Sequence, residues 1–241
     1  DSRPKTSGST NNKTEPAQKK PAKPNVPPPV PPKRRKDEVF QIEKYKHVDD
    51  YALNSPPNLL VGTFKELIAY LTKDPSWDDM CKVRGIFRWV TSVDVYSLKT
   101  ESDPPTHSPL EYFIKIQKNM GNHAHLISGL CQMAGVPCVI ISGMNKSAAY
   151  EVGSKCDRKM MGAQWNAVYI DGEWRFVDAF WASACVVGKK SGEWTLVDTD
   201  GNVATEDEET SEGETQHRVN EFYFLPDADK FIWTHFPDEK A

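Results

Sequence analysis

The stretch KNMGNHAHLISGLCQMAGVPCVIIS, residues 118–142, reads as a tight loop, then a buried helix, then a strand. Gly121 and Asn122 supply the turn. Leu126, Leu130 and Met133 recur at i, i+4 and i+7, the spacing of one helical face. Gly135 stands where a helix-ending glycine belongs, and Pro137 follows it. Cys138-Val-Ile-Ile141 then reads as a buried strand. A helix N-terminus favours negative charge and lowers the pKa of a thiol, so this frame suits a nucleophile. The residue at that point is Met120, whose thioether has no acidic proton.

Upstream, the sequence predicts helices. Thr63-Phe-Lys-Glu66 is a capping box ahead of Phe64, Leu67, Ile68 and Leu71. Ser76-Trp-Asp-Asp79 caps a second helix that runs through Val90. Ser108-Pro-Leu-Glu111 opens a third, with serine at the cap, proline at the first helical position and glutamate at the third. Downstream, strands are expected. Asp171-Gly172 between Trp165–Ile170 and Glu173–Phe180 is a two-residue hairpin signal. Asp178 falls in a row with Trp174, Phe176 and Phe180, where a carboxylate needs a partner. Asn166, Gln164 or a backbone amide would serve. Residues 186–219 read as a mobile acidic excursion with a short hairpin near Trp194–Val203. Helices first and then an antiparallel sheet give an α+β fold.

Residues 1–36 hold nine of the 18 prolines, no aromatic residue, and ten Lys/Arg against Asp1 and Glu15. That is a local charge of +8, which leaves −12 on the remainder of a chain whose net charge is −4. The division expected is a disordered basic, proline-rich tail over 1–45 and a folded domain over 46–241. Pro28 and Pro31 with Lys33, or the next register with Arg34, fit P-x-x-P-x-(Lys/Arg), the polyproline ligand of SH3-type grooves. An acidic body argues against nucleic-acid binding by the fold. No apolar run reaches the roughly 20 residues that span a bilayer. Five cysteines without a C-x-x-C point to a reduced, cytoplasmic protein, and no cofactor or metal is expected.

Met120–Cys138 resembles the active-site helix of transglutaminase-like cysteine peptidases, a papain-like fold. The nearest pattern is that of the kyphoscoliosis peptidase and hillarin group, roughly V-C-x-G-Y-A-x-L-x-x-x-x-C-x-x-A-G-V-x-C. Leu126, Cys131, Ala134, Gly135, Val136 and Cys138 match it. Arg84-Gly-Ile-Phe-Arg-Trp89, Trp165-Asn-Ala-Val168, Val177-Asp178, Trp181, Asn220-Glu-Phe-Tyr-Phe-Leu225 and His235-Phe-Pro237 match further motifs. The resemblance implies a Cys, His and Asp triad. Its cysteine position falls on Met120, its histidine position on Ala163 and its aspartate position on Asp178.

The expectation is therefore a catalytically inactive domain used as a protein-interaction or cytoskeletal scaffold. Its partners would be cytoskeletal or SH3-containing proteins, and it would be cytoplasmic and associated with the cytoskeleton. The alternatives are an enzyme with a substitute nucleophile, for which Cys131 and Cys156 are the thiols to consider, or a cleft that binds a peptide. Trp165, Trp181 and His123 would line that cleft.

Overall fold

The computed structural model describes residues 26–99, 103–146, 150, 153, 155, 157–187, 196–197, 203–204 and 214–239. Short helices lead: α1 (Lys36–Val39), α2 (Lys46–Leu53), α3 (Asn58–Val61) and α4 (Phe64–Leu71). Three longer ones follow: α5 (Asp79–Ser92), α6 (Pro109–Gln117) and α7 (His123–Met133). Then come β1 (Cys138–Asn145), α8 (Arg158–Met161), β2 (Gly162–Ile170), β3 (Glu173–Val177) and α9 (Ala179–Ser183). The chain ends with β4 (Ala184–Val187), β5 (Leu196–Val197), β6 (Val203–Ala204), β7 (Glu214–His217), α10 (Ala228–Phe231) and β8 (His235–Pro237). The main sheet is antiparallel in the order β3-β2-β1-β8. α7 packs between that sheet and α5. This is the α+β arrangement, helices packed on an antiparallel sheet, expected from the sequence.

α7 is built as its residues dictate. Asn122 caps it by accepting from the His125 N–H at 2.9 Å. Gly135 (φ 77°) ends it. Val136 N–H bonds Cys131 O at 2.9 Å and Gly135 N–H bonds Gln132 O at 3.1 Å, the paired bonds that turn a chain out of a helix. The buried stripe is Leu126, Ile127, Leu130 and Cys131; Met133, in the last turn, is exposed. β1 is half-buried over Cys138–Ile141 rather than buried. Gly143 permits the close pairing of β1 with β8, since a Cβ there would stand 2.2 Å from Phe236 O.

Other elements correct the sequence reading. The capping box at Thr63 and the Ser108 cap form as expected. The cap of α5 is Asp78, which accepts from Cys81 N–H at 2.8 Å. Ser76 is instead held by Asp74, whose carboxylate takes both its N–H and its hydroxyl. β3 stops at Val177, because the Asp178 side chain starts α9 there, so Phe180 is helical. β5 pairs with β6 in the stretch where the short hairpin is expected. Within the stretch expected to be a mobile excursion, β7 also pairs with β4. The mobility expected of residues 188–195, 198–202 and 205–213, and of tail residues 1–25, falls outside the described residues.

The expected boundary at 46 does not hold. Phe40 lies in the core, and residues 28–36 are bonded to β3 and to Asp227. Arg84 of α5, fully buried, fixes this corner. It bonds Asp49 of α2 at 2.6 and 2.5 Å and Glu221 at 2.6 and 2.9 Å. Its guanidinium also lies 5.0 Å from the Phe40 ring and 4.8 Å from that of Phe224. Burial alone would raise the Glu221 carboxyl, but hydrogen bonds and charge from Arg84 hold it below its usual value.

Candidate functional site

The N-terminus of α7, the ends of β1 and β2, and the start of α9 surround an open cleft of about 560 Å³. Ala163, Asp178 and His123 all face it, as do Asn122, Asn145 and Gln164. Asn119 and Gly121 also line it, and Met120 between them is 67% exposed, in the turn that precedes α7. The backbone there is fixed by Met120 N–H to Lys115 O at 2.7 Å, and Asn119 takes a positive φ of 56°.

Asp178 sits where β3 passes into α9. Its Oδ1 accepts from Trp181 N–H at 2.9 Å, and its Oδ2 lies 3.0 Å from His235 Nε2. The backbone amide partner was one of those expected; His235 was not. A carboxylate has no proton to give, so Nε2–H donates. On the other side of the ring, Nδ1 lies 2.8 Å from Thr234 Oγ1. His235 is 1% exposed. Phe231 stacks on it at 3.8 Å, and Trp165 and Trp181 meet it edge-on at 5.0 and 4.9 Å. Trp165 and Trp181 therefore wall in this histidine, and neither lines the cleft.

Gln164 and Asn166 serve other groups. Asn122 Nδ2–H donates to Gln164 Oε1 at 2.8 Å, and Gln164 Nε2–H donates to Ser142 Oγ at 3.2 Å, a bridge from helix to sheet. Asn166 Nδ2–H donates to Ala124 O at 2.9 Å.

His123 is buried at the cleft wall, and its Nε2 has no hydrogen-bond partner among the described residues. Burial pushes its pKa down to about 4 against the opposing charge of Asp178, so the ring is neutral at pH 7. No thiol lines the cleft among the described residues. A hydrogen bond with Cys138, then burial, raise the Cys131 thiol far above its usual range, the same bond lowers the Cys138 thiol, and Cys81 is pushed up to about 12, chiefly by burial. Cys156 lies outside the described residues. No three His, Cys, Asp or Glu side chains converge as metal ligands among those described. The cleft as it stands offers amides, a neutral imidazole and a carboxylate already engaged, which suits hydrogen bonding.

The expected SH3 ligand is found folded back. Lys33 and Arg34 are bonded to the β2–β3 hairpin, while the Pro28 and Pro31 rings are exposed. Two signals in the sequence pointed to what was missed. His235 belongs to a motif of its own, and Asp178 stood in an aromatic row without a partner.

Residues 65–179 match the family described as the transglutaminase-like superfamily. These residues form a transglutaminase-like domain. The transglutaminase-like chain is 31% identical over 216 residues to the Lim and transglutaminase domain protein ltd-1 of Caenorhabditis elegans, covering 89% of this chain and 28% of that protein. It is 28% identical over 214 residues to hillarin of Drosophila melanogaster, covering 88% and 24%. It is 31% identical over 177 residues to the kyphoscoliosis peptidase of Mus musculus, covering 73% and 23%. The chain thus spans about a quarter of the length of these relatives. No described helix is long and apolar enough to cross a membrane.

Proposed function

We propose that this transglutaminase-like domain is catalytically inactive and serves as a protein-interaction module. The observation that carries the reading is the cleft itself. Ala163 occupies its wall, Asp178 is spent on His235 and the start of α9, and Met120 is an exposed thioether in the turn at its rim, between Asn119 and Gly121. Cysteine catalysis needs a thiolate and a base that moves its proton. A thioether supplies no thiolate, and a methyl group is no base. Losing one member of such a unit costs about as much as losing all, on the order of 10⁶ in rate.

The Asp178–His235 pair does not repair the loss in this reading. Its histidine is enclosed by aromatic rings, and its second nitrogen faces Thr234. Resemblance to the kyphoscoliosis peptidase and hillarin group supports cytoskeletal partners and a cytoplasmic location as part of the proposal. An SH3-type partner for the tail would have to compete with the bonds that hold Lys33 and Arg34. One observation favours a second reading, a cleft that binds peptide: the unpartnered His123 Nε2.

Thiol labelling tests the inactive reading against a substitute nucleophile. With iodoacetamide at pH 6.5, no cysteine of the folded chain is expected to react faster than free cysteine. A cysteine that reacts tenfold faster, mapped by peptide mass, would overturn the reading.

A further inference from the structure

β3 is one of the two edge strands of the main sheet, and residues 28–36 run along it. Trp174 donates its indole Nε1–H to the Pro28 carbonyl at 3.0 Å. It stands beside Tyr169, its partner across the hairpin, with ring centroids 5.3 Å apart. Further along, Glu173 Oε1 takes the Lys33 N–H at 3.1 Å and the Arg34 Nε–H at 3.4 Å. Arg34 Nη2 reaches the Asp171 carbonyl at 3.2 Å. Arg175 donates from Nη2 to the Arg34 carbonyl at 2.6 Å, and its side chain is only 2% exposed. Asp227 Oδ1 takes the Lys36 N–H at 2.8 Å.

These contacts have a common chemistry. A run such as Pro27-Pro-Pro-Val-Pro-Pro32 has few N–H groups and cannot enter a helix, so its carbonyls point outward unpaired. An indole N–H on an aromatic platform meets such a carbonyl without needing a particular side chain. An acidic group beyond it takes the cation. Aromatic grooves read P-x-x-P-x-(Lys/Arg) in this way. Here the platform, the acid and a buried arginine all lie on one hairpin of the domain. The Pro28 and Pro31 rings are exposed, so the strap is held by its backbone and by Arg34.

We propose that this hairpin edge is a docking surface for proline-rich segments ending in arginine, and that residues 28–36 are its cis occupant. The cleft takes no part, so the proposal stands whether or not the cleft is catalytic. A ligand on a short tether has an effective concentration on the order of a millimolar, so releasing it should tighten binding of an outside peptide by about tenfold.

The probe is a fluorescein-labelled peptide, VPPPVPPKRRKDE, with the sequence of residues 26–38. Anisotropy is read against the natural chain and against a chain carrying Pro31→Gly, Pro32→Gly and Arg34→Glu. The released chain should bind about tenfold tighter than the natural one. Adding Trp174→Phe, which keeps a ring and removes the N–H, should weaken that binding about fivefold. Equal binding to natural and released chains, or none to a released chain that retains the natural circular dichroism, would overturn the proposal. Should the released chain lose its fold, Trp174→Phe alone in the natural chain gives the test. Tryptic cleavage at Lys33–Lys36 must then quicken about fivefold, and unchanged cleavage overturns the proposal.

Discussion

At the residue scale, the chemistry turns on two histidines: His123, which the sequence placed at the cleft, and His235, which sequence spacing could not assign. His235 lies 57 positions from Asp178. Only the fold of β8 back onto β1 brings them together, and no local pattern reports that distance. Met120 and Ala163, by contrast, enter the inactive reading from the sequence alone, because under the proposed triad register each is a residue type that cannot do the work of its position. His123 carries a sign that can be measured. Its folded-state pKa of about 4 lies below the ordinary 6.5, so between those values the unfolded chain binds a proton that the folded chain refuses. Stability should therefore fall as pH drops from 6.5 to 4, by roughly 3 kcal/mol in all from this group. Urea unfolding at pH 7, 6, 5 and 4 checks it. His123→Tyr should flatten that limb, and an unchanged slope would remove His123 as its source.

At the element scale, caps and turns were the most readable features. Thr63, Ser108, Gly135 and the Asp171-Gly172 turn all act where their chemistry allows little else. The start of α5 was misread because two caps competed: Asp74 captured Ser76, and Asp78 remained to cap the helix. What joins α2, α5 and the Glu221 turn is Arg84, a charge at the centre of a core. Its motif was visible in the sequence, but its partners sit on separate segments. Arg84→Met would leave Asp49 and Glu221 with the longer contacts of Arg88, at 3.5 and 3.8 Å, and should lower stability by about 3 kcal/mol, measured by urea unfolding. Adding Asp49→Asn and Glu221→Gln should recover part of that loss. A single substitution costing under about 1 kcal/mol would show that the clamp adds little.

At the scale of the whole molecule, composition separated a basic proline-rich leader from an acidic body. It took chain entropy as decisive for residues 26–45. The fold outweighs that entropy with Trp174, Glu173 and Asp227 along one edge and with Phe40 in the core. The P-x-x-P-x-(Lys/Arg) run that suggested an outside partner thus has, in this structure, an inside one. The transglutaminase-like architecture itself was legible because its motifs are many and separate, and most of them are structural: a helix end, a hairpin, a clamp. The same separation is what the proposed inactive reading requires, since a fold held by such motifs does not depend on its reacting groups. The most direct measurement is amide hydrolysis and glutamine transamidation by the natural chain beside Met120→Cys with Ala163→His, each with and without iodoacetamide. The result expected is no iodoacetamide-sensitive rate from the natural chain and a measurable one from the restored pair. An iodoacetamide-sensitive rate already present in the natural chain would contradict the inactive reading.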